Sequence, residues 1–208
     1  MTTTQAALDP RGSAPPFDYN PSSMPQRLRI AALGLVAAAV AFYMGAFQWG
    51  WIDSVWDPFF GGGAQTVLTS EESRVMQRVI GLPDAVLGGW AYLTEAVLAF
   101  AGSTRRWQFR PWLVLLFGVD VIPLGIVSAV LVVLQGVSVG AWCSPCLLTA
   151  VISLLLVVLA YDEVWSCIKY LREVWRRDPR PGPMWRTFWG RPSEAAIRAA
   201  YAMTGGAR

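Results

Sequence analysis

The sequence predicts an all-α integral membrane protein: a four-helix bundle with an extracytoplasmic loop that holds a short helix, and a cytoplasmic C-terminal helical tail. Hydrophobic residues make up 54% of the 208-residue chain, more than is usual for a soluble domain. Apolar stretches of roughly 20 residues, the length that crosses a bilayer, occur at four places: residues 28–49, 85–102, 112–135 and 142–160.

The distribution of charge orients these four spans. Arg105, Arg106 and Arg110 lie between the second and third spans without an acidic residue among them, and further Lys and Arg residues follow the fourth span. The segment after the first span is instead rich in Asp and Glu. By the positive-inside rule, both termini are expected in the cytoplasm. Cys143 and Cys146 then lie at the extracytoplasmic end of the fourth span, on the oxidising side where disulfides persist.

Three regions are predicted along the chain. Residues 1–26 are rich in Pro, Ser and Thr and are expected to form a disordered cytoplasmic leader. Residues 27–165 form the membrane domain. Residues 166–208 form a basic cytoplasmic tail, in which an interfacial helix ends near residue 177, prolines break the chain, and a short helix follows near residues 193–202.

The short helix of the outer loop lies within residues 50–84. Ser70 and Ser73, next to Glu71 and Glu72, are suited to cap its N-terminus. Its apolar residues fall on one face. Two interpretations stay open, a lid over a pocket in the membrane and a surface helix in the headgroup zone. The residues on that face are Val75, Met76, Val79 and Ile80.

One acidic residue, Asp120, stands inside the third span. Ionisable residues within a span are candidates for function. We expect Asp120 to face the interior of the bundle and to find a hydroxyl or backbone partner there.

The pair Cys143-Ser144-Pro145-Cys146 is the strongest chemical signal in the sequence. Thiols at positions i and i+3 share one face of a helix and can close a small disulfide ring. Pro145 suits the first turn of a helix, and the positive helix end favours a thiolate on Cys143. Cys146, one turn deeper, is expected to face the bundle interior. These features favour a redox function over the packing of two small side chains.

The composition excludes several other chemistries. The chain has no histidine, which removes His-based metal sites, Cys–His catalytic pairs and His-ligated haem, so no metal site is predicted. Cys167 lies about 30 Å from Cys146 along a continuous helix, too far for a disulfide, and is interpreted as inert or lipid-modified. The basic residues are interleaved with interfacial Trp, which predicts contact with membrane lipid and no binding of nucleic acid.

Four short motifs, in this order, resemble the vitamin K epoxide reductase family over about residues 28–165. The members of that family are four-helix membrane oxidoreductases that couple a quinone to thiol–disulfide exchange. The motifs are Asp57, then Val67-Leu68-Thr69-Ser70, then Gly81-Leu82-Pro83-Asp84-Ala85-Val86-Leu87-Gly88 with Tyr92, and finally Cys143-Ser144-Pro145-Cys146.

The resemblance implies roles for these residues. Cys146 would be the catalytic thiol beside the quinone, and Cys143 the catalytic thiol that exchanges disulfides with a thioredoxin-like extracytoplasmic protein or with thiol substrate proteins. The quinone, menaquinone or ubiquinone, would contact a set of four cofactor-binding residues. The chain would be a multi-pass protein of a bacterial cytoplasmic (inner) membrane. The cofactor-binding residues are Ser70, Asp84, Gly88 and Tyr92.

The sequence departs from the family in its outer loop. The family normally has a second cysteine pair there, which relays electrons to the external partner, and the equivalent positions are Trp56 and Ala64. An external thiol or another subunit must then reach Cys143–Cys146 directly, or the pair serves a different donor. We therefore expect a quinone-linked thiol–disulfide oxidoreductase, with a non-catalytic quinone-binding or structural membrane subunit as the alternative. A transmembrane thiol carrier is disfavoured by the isolation of Cys167.

Overall fold

The computed structural model describes residues 20–191 and 193–203, and every regular element in these ranges is helical. The predicted leader lies outside them except for residues 20–26. The helices are α1 (Met24–Gln48), α2 (Gly63–Leu68), α3 (Glu71–Ile80), α4 (Asp84–Phe100), α5 (Arg106–Phe109), α6 (Pro111–Leu134) with a π-helical turn (Gln135–Val139), α7 (Ser144–Arg177), α8 (Pro181–Phe188) and α9 (Glu194–Met203).

Three of the described helices are long and apolar enough to cross a membrane, namely Met24–Gln48, Pro111–Val139 and Ser144–Arg177. They match the first, third and fourth predicted spans. Helix α4, at the place of the second, has 17 residues, about 25 Å at ~1.5 Å per residue. That length is at the lower limit for crossing a hydrocarbon core of about 30 Å, so the fourth span stays a prediction.

The long helices expose apolar side chains in a periodic pattern. On α6, Val119, Ile126, Val130 and Val133 are more than half exposed, and they recur at intervals of seven, four and three residues. A stripe of this spacing lies along one side of a helix. Because the backbone of a helix satisfies its own hydrogen bonds, such an apolar side is stable against lipid.

Contacts divide the chain into two compact units. The terminal unit comprises the described parts of Met1–Leu28, Leu98–Val119 and Leu159–Arg208. The cysteine unit comprises Arg29–Val97 and Asp120–Val158. Both predicted catalytic cysteines and all four predicted cofactor-binding residues belong to the cysteine unit.

The terminal unit has an apolar core between α7 and the C-terminal helices. Trp107 packs edge-on against Tyr170, with ring centroids 5.8 Å apart. Helix α9 joins this core through four buried alanines, whose spacing places them on one face: Ala195, Ala196, Ala199 and Ala200. Gly190 closes the turn before α9 with φ 78°, and a Cβ there would lie 2.2 Å from the carbonyl oxygen of Phe109. Glycine is therefore required at this position.

The C-terminal part of the chain differs from the prediction in two ways. Helix α7 continues without interruption to Arg177, where the sequence analysis had separated a membrane span from an interfacial helix. No glycine or proline interrupts it after Pro145. Beyond it, Pro181 begins helix α8 at the first helical position, where a proline needs no hydrogen-bond donor. The short helix near residues 193–202 is present as α9.

A buried ion pair holds the terminal unit together. Arg106 binds Glu163 through two hydrogen bonds, of 2.5 and 2.7 Å, and both side chains are almost fully buried. Ser22 donates a further hydrogen bond to Glu163 over 2.6 Å. Arg27 donates to the carbonyl oxygens of Ala99, Ala101 and Gly102, the last acceptors of helix α4 and the turn after it. Arg106, predicted only as a topology signal, therefore also stabilises the packing.

Replacing Glu163 with Ala is expected to destabilise the protein by about 3–5 kcal/mol, because Arg106 would be left charged and unpaired in the interior. Denaturant unfolding in detergent micelles measures the change. Glu173 is the matched control, since it lies on the same helix and pairs with the surface residues Arg176 and Arg177. Its replacement with Ala should cost about 1 kcal/mol or less. Equal costs at the two positions would contradict the stabilising role of the buried pair.

Candidate active site

The Cys143–Cys146 pair is closed as a disulfide at the beginning of helix α7, with the two Cα atoms 5.2 Å apart. The backbone N–H of Cys146 points at the sulfur of Cys143 over 3.2 Å. The N–H of Cys143 donates to the side-chain oxygen of Gln135, in the π-helical turn, over 3.1 Å. The Cys146 amide, in the first helical turn, therefore faces the Cys143 sulfur, an arrangement that stabilises a thiolate.

The two cysteines have different surroundings. Cys143 is completely buried. Cys146 is partly exposed to an internal cavity, and its sulfur lies 3.5 Å from the sulfur of Met44 on α1. Only one end of the disulfide is therefore open to a molecule in that cavity.

Residues 57–64, which we call the covering segment, contact the residues on both sides of Cys143. Asp57 accepts hydrogen bonds from the hydroxyl of Ser144 and from the amides of Phe60 and Ala64, the last over 2.9 Å. Gly63 lies so close to Trp142 that a Cβ would come within 2.1 Å of its carbonyl oxygen. The covering segment thus contacts both chain neighbours of Cys143, the buried cysteine that was expected to meet a partner.

The electrostatics of Asp57 favour this closed arrangement. Burial alone would raise the pKa of Asp57, but the hydrogen bonds from Ser144 and from the amides of Phe60, Ala64 and Phe59 outweigh that effect and lower the pKa. Asp57 is therefore ionised, and able to accept these bonds, throughout the neutral and mildly acidic range.

Replacing Asp57 with Ala should expose Cys143. The loss of its charge-assisted hydrogen bonds, worth about 1.5 kcal/mol or more, is expected to raise the alkylation rate of Cys143 in the reduced protein by roughly tenfold. Mass spectrometry of trapped thiols measures the rate. Asp53→Ala is the matched control, because Asp53 is an exposed acid of the same loop. An equal increase in the alkylation rate of Cys143 in that variant would contradict a specific role of Asp57.

The closed arrangement held by Asp57 has a predictable pH dependence. A carboxyl group with a lowered pKa stabilises the closed form above its unfolded pKa of about 3.9, and that stabilisation is lost as the pH falls through the lowered folded value. Protection of the Phe60 and Ala64 amides against hydrogen exchange, corrected for intrinsic rates, should therefore be constant from neutral pH to about pH 4 and decrease below. A decrease nearer neutral pH would contradict this assignment.

Cys146 lines a cavity of about 320 Å³ inside the cysteine unit. Its wall is mostly apolar, with contributions from α1, α4, α6 and α7. The four residues that the sequence analysis assigned to a cofactor, Ser70, Asp84, Gly88 and Tyr92, all line this cavity together with Cys146. The structure therefore brings all the predicted site residues except Cys143 to one space.

Helix α3 closes one side of the cavity with its first turn. Ser70 caps the helix by accepting a hydrogen bond from the amide of Ser73, as predicted. Ser70, Glu72 and Ser73 line the cavity, whereas Val75 and Val79 are 50% and 77% exposed. The polar first turn of α3 thus faces the cavity, as expected of a lid. Its apolar side faces outward, as expected of a surface helix.

A polar network fixes the carboxyl group of Asp84. Its Oδ1 accepts hydrogen bonds from the side-chain amide of Gln48 over 2.6 Å and from the hydroxyl of Ser73 over 2.8 Å. The amide of Ala85 donates to the same oxygen over 2.9 Å. With Oδ1 engaged in this way, the other oxygen, Oδ2, is the one available for further hydrogen bonds.

A cluster of hydroxyl groups joins three helices deeper in the cavity wall. The hydroxyl groups of Tyr92 and Ser153 are 2.6 Å apart, and that of Ser128 donates to Ser153 over 3.0 Å. Tyr92 also donates to the backbone carbonyl of Thr149. Except for Ser153, these residues line the cavity.

Comparison with protein-family models matches residues 28–161 to the vitamin K epoxide reductase family, well over half of the chain. The chain belongs to the vitamin K epoxide reductase family. Comparisons with curated proteins and with solved structures gave no match. Membership assigns the chain to a family of membrane oxidoreductases, and Cys143–Cys146 is the cysteine pair within the matched region.

Within this vitamin K epoxide reductase domain, the two positions assigned to the loop cysteines hold other residues. Trp56 is 76% exposed, and Ala64 is buried, with its amide bound to Asp57. Cys167 is also buried, 3.7 Å from the carbonyl oxygen of Pro111, which favours the inert alternative over lipid modification at an interface.

Four residues of the site were not predicted. Met44 and Gln135 contact the cysteine pair, Gln48 binds Asp84, and Glu95 lies buried on α4. Only Glu95 had a signal in the sequence, as an acidic residue inside the second predicted span. The other three depend on contacts between distant parts of the chain.

Proposed function

We propose that this protein is a quinone-linked thiol–disulfide oxidoreductase of the membrane, which passes electrons between a partner thiol and a quinone. The observation that supports it most is that Cys146, one half of a disulfide, lines the same cavity as Ser70, Asp84, Gly88 and Tyr92. A disulfide that borders a mostly apolar cavity can exchange electrons with an apolar oxidant there.

The cavity suits a quinone ring. A quinone is planar and apolar, with two carbonyl oxygens that accept hydrogen bonds. The largely apolar wall with a few hydroxyl and carboxyl groups matches this distribution. Because Gly88 lacks a side chain, α4 leaves room in the cavity at that position. Menaquinone and ubiquinone share this ring chemistry, and either fits the proposal.

Thiol exchange begins at Cys143 once the covering segment has moved. A partner thiolate attacks the Cys143 sulfur, forms a mixed disulfide and releases Cys146 as a thiolate. A second partner thiol then releases Cys143. The dithiol gives two electrons to the quinone and closes the disulfide again. The thiol partner is proposed to be a thioredoxin-like extracytoplasmic protein or a thiol substrate protein.

Asp84 has a defined role in this scheme. A carboxylate only accepts hydrogen bonds, so a protonated Asp84 is required to donate to a quinone carbonyl. Gln48 and Ser73 both donate to Oδ1 and so hold the carboxyl group with Oδ2 as the donor position. We propose that Asp84 donates from that oxygen and passes its proton on as the quinol forms.

The proposed setting is a bacterial cytoplasmic (inner) membrane with both termini in the cytoplasm. The basic residues after the fourth span and the acidic outer loop support this orientation. Single cysteines introduced in the loop and in the tail of a variant without native cysteines should react with an impermeant maleimide from opposite sides of the membrane.

The test of the proposed function is quinol formation by the purified protein with a dithiol and a membrane quinone, followed by the absorbance of the quinone. Wild-type protein should form quinol, and the Cys143→Ala/Cys146→Ala double variant should not. Cys167→Ala is the control and should keep the activity. Quinol formation that is independent of Cys143 and Cys146 would overturn the proposal.

The second candidate is a non-catalytic quinone-binding or structural membrane subunit on the same scaffold. The complete burial of Cys143 and the absence of loop cysteines at positions 56 and 64 favour it. It predicts that the double variant keeps its biological activity in cells and that the wild-type disulfide resists reduction by a partner.

A further inference from the structure

Two carboxylic acids lie in the apolar interior of the cysteine unit. Glu95 on α4 is 1% exposed, and Asp120 on α6 is about half buried and within electrostatic range of it. Over residues 20–191 and 193–203, neither carboxyl oxygen of Glu95 has a hydrogen-bond partner, nor does Oδ2 of Asp120. The hydroxyl or backbone partner expected for Asp120 is not found for this oxygen.

Burying two acids without hydrogen-bond partners lowers the stability of the fold, so their presence points to a function. Unpaired negative charges in apolar surroundings are strongly unfavourable, so the pair is stable only when it holds protons. A structural role would normally supply hydrogen-bond donors for the buried oxygens, as Ser22 and Arg106 do for Glu163. The described residues supply none to Glu95.

The acid pair adjoins the hydroxyl cluster of the cavity wall. Glu95 is three residues after Tyr92 on α4, so the two side chains lie one turn apart on one face. Glu95 also lies within electrostatic range of the Tyr92 hydroxyl. From Tyr92, hydrogen bonds continue to Ser153 and Ser128, and both Tyr92 and Ser128 border the cavity.

We propose that Glu95 and Asp120 form a proton-supplying pair that delivers a proton to the cavity through the hydroxyl groups of Tyr92, Ser153 and Ser128. This inference rests on the proposed function. Rotation of the Glu95 side chain or a bridging water closes the gap to the hydroxyl cluster.

The Cys143–Cys146 dithiol loses two electrons and two protons as its disulfide forms, and the thiol protons leave to water. The quinone gains the two electrons and two protons and becomes quinol. One of these protons comes from the acid pair and the other from Asp84, as proposed above, and both groups regain their protons from water. The net change is one dithiol and one quinone converted into one disulfide and one quinol.

The test is a single turnover, in which pre-reduced protein is mixed with quinone. Glu95→Gln should slow quinol formation by about a hundredfold, the usual size of a general-acid contribution, and should increase the solvent deuterium isotope effect. Glu95→Asp should restore part of the rate. Ser153→Ala, which leaves the cavity lining unchanged, should slow the same step, and its effect should not add to that of Glu95→Gln.

Two controls separate proton supply from folding. Thr94→Val changes a neighbouring polar residue that points away from the interior, and it should leave the rate and the isotope effect unchanged. Reduction of the disulfide by dithiol, binding of quinone and thermal stability should be the same in Glu95→Gln as in wild type. Infrared difference spectra on quinone reduction should contain a protonated-carboxyl band that is missing in Glu95→Gln.

Each outcome has one consequence. If wild-type protein forms no quinol, the proposed function fails. If wild type forms quinol and Glu95→Gln does so at the same rate, the proton-supplying role is overturned and the proposed function stands. A slower Glu95→Gln with an unchanged isotope effect and weaker quinone binding would mean that Glu95 only shapes the cavity, which also overturns the inference.

Discussion

A Cys146→Ala variant is expected to accumulate a mixed disulfide between Cys143 and its physiological partner, formed when the Cys143 thiolate attacks the disulfide form of that partner and releases a partner thiolate. It should form quinol at less than about a thousandth of the wild-type rate. Without Cys146, a partner bound to Cys143 cannot be released by attack within the pair. The captured species is identified by non-reducing electrophoresis and mass spectrometry of protein from cells that express the variant.

The reciprocal variant, Cys143→Ala, is the matched control for this trapping. It leaves Cys146 facing the cavity, so it should lose turnover to the same extent but capture no protein partner. Adding Asp57→Ala to Cys146→Ala should increase the yield of the complex, because the covering segment then opens more readily. Capture at Cys146 instead of Cys143 would contradict the assigned order of the two thiols.

A Gly88→Leu variant is expected to weaken quinone binding by about tenfold to a hundredfold, corresponding to an overpacking cost of about 1–3 kcal/mol. Gly88 lines the cavity, and a Cβ built on it has only an ordinary contact, 3.9 Å from the ring of Tyr92. The backbone therefore tolerates a side chain, which then fills space that the quinone needs. The dependence of quinol formation on quinone concentration measures the effect.

Val97→Leu is the control for Gly88→Leu. Val97 is on the same helix and is 61% exposed on the outside, so its replacement should change neither the quinone dependence nor the stability. Reduction of the disulfide by a dithiol should be unchanged in both variants. A Gly88→Leu variant with wild-type quinone dependence would show that the quinone does not enter this cavity.

The helices and the cysteine pair at a helix start were predictable because they depend on local sequence. A membrane helix needs an unbroken apolar stretch, since its backbone must bond internally, and three of the four predicted spans coincide with helices that meet this criterion. The cap at Ser70 was predictable for the same reason, because its acceptor and the amide of Ser73 are three residues apart. The C-terminal end of α7 was not predictable, because helix propensity does not tell whether a helix ends at the bilayer or continues beyond it.

The surroundings of the site depend on contacts between residues that are far apart in sequence. Asp57 reaches Ser144 across 87 positions, and Met44 reaches Cys146 across 102. No pattern of residues within one helix predicts such contacts. The burial of Cys143 and the engagement of Asp84 by Gln48 therefore appear only once the helices pack.

The sequence by itself determined the apolar helices, the cysteine pair at a helix start, the absence of histidine chemistry and the family, because each is carried by composition or by short spacing. The tertiary structure alone decided which cysteine faces the cavity, which residues contact the neighbours of the other, and that Glu95 and Asp120 lie within electrostatic range of each other. Among the described residues, no donor reaches the carboxyl oxygens of Glu95 or Oδ2 of Asp120. These features follow from the packing of separate helices, where burial changes the chemistry of a side chain according to its neighbours.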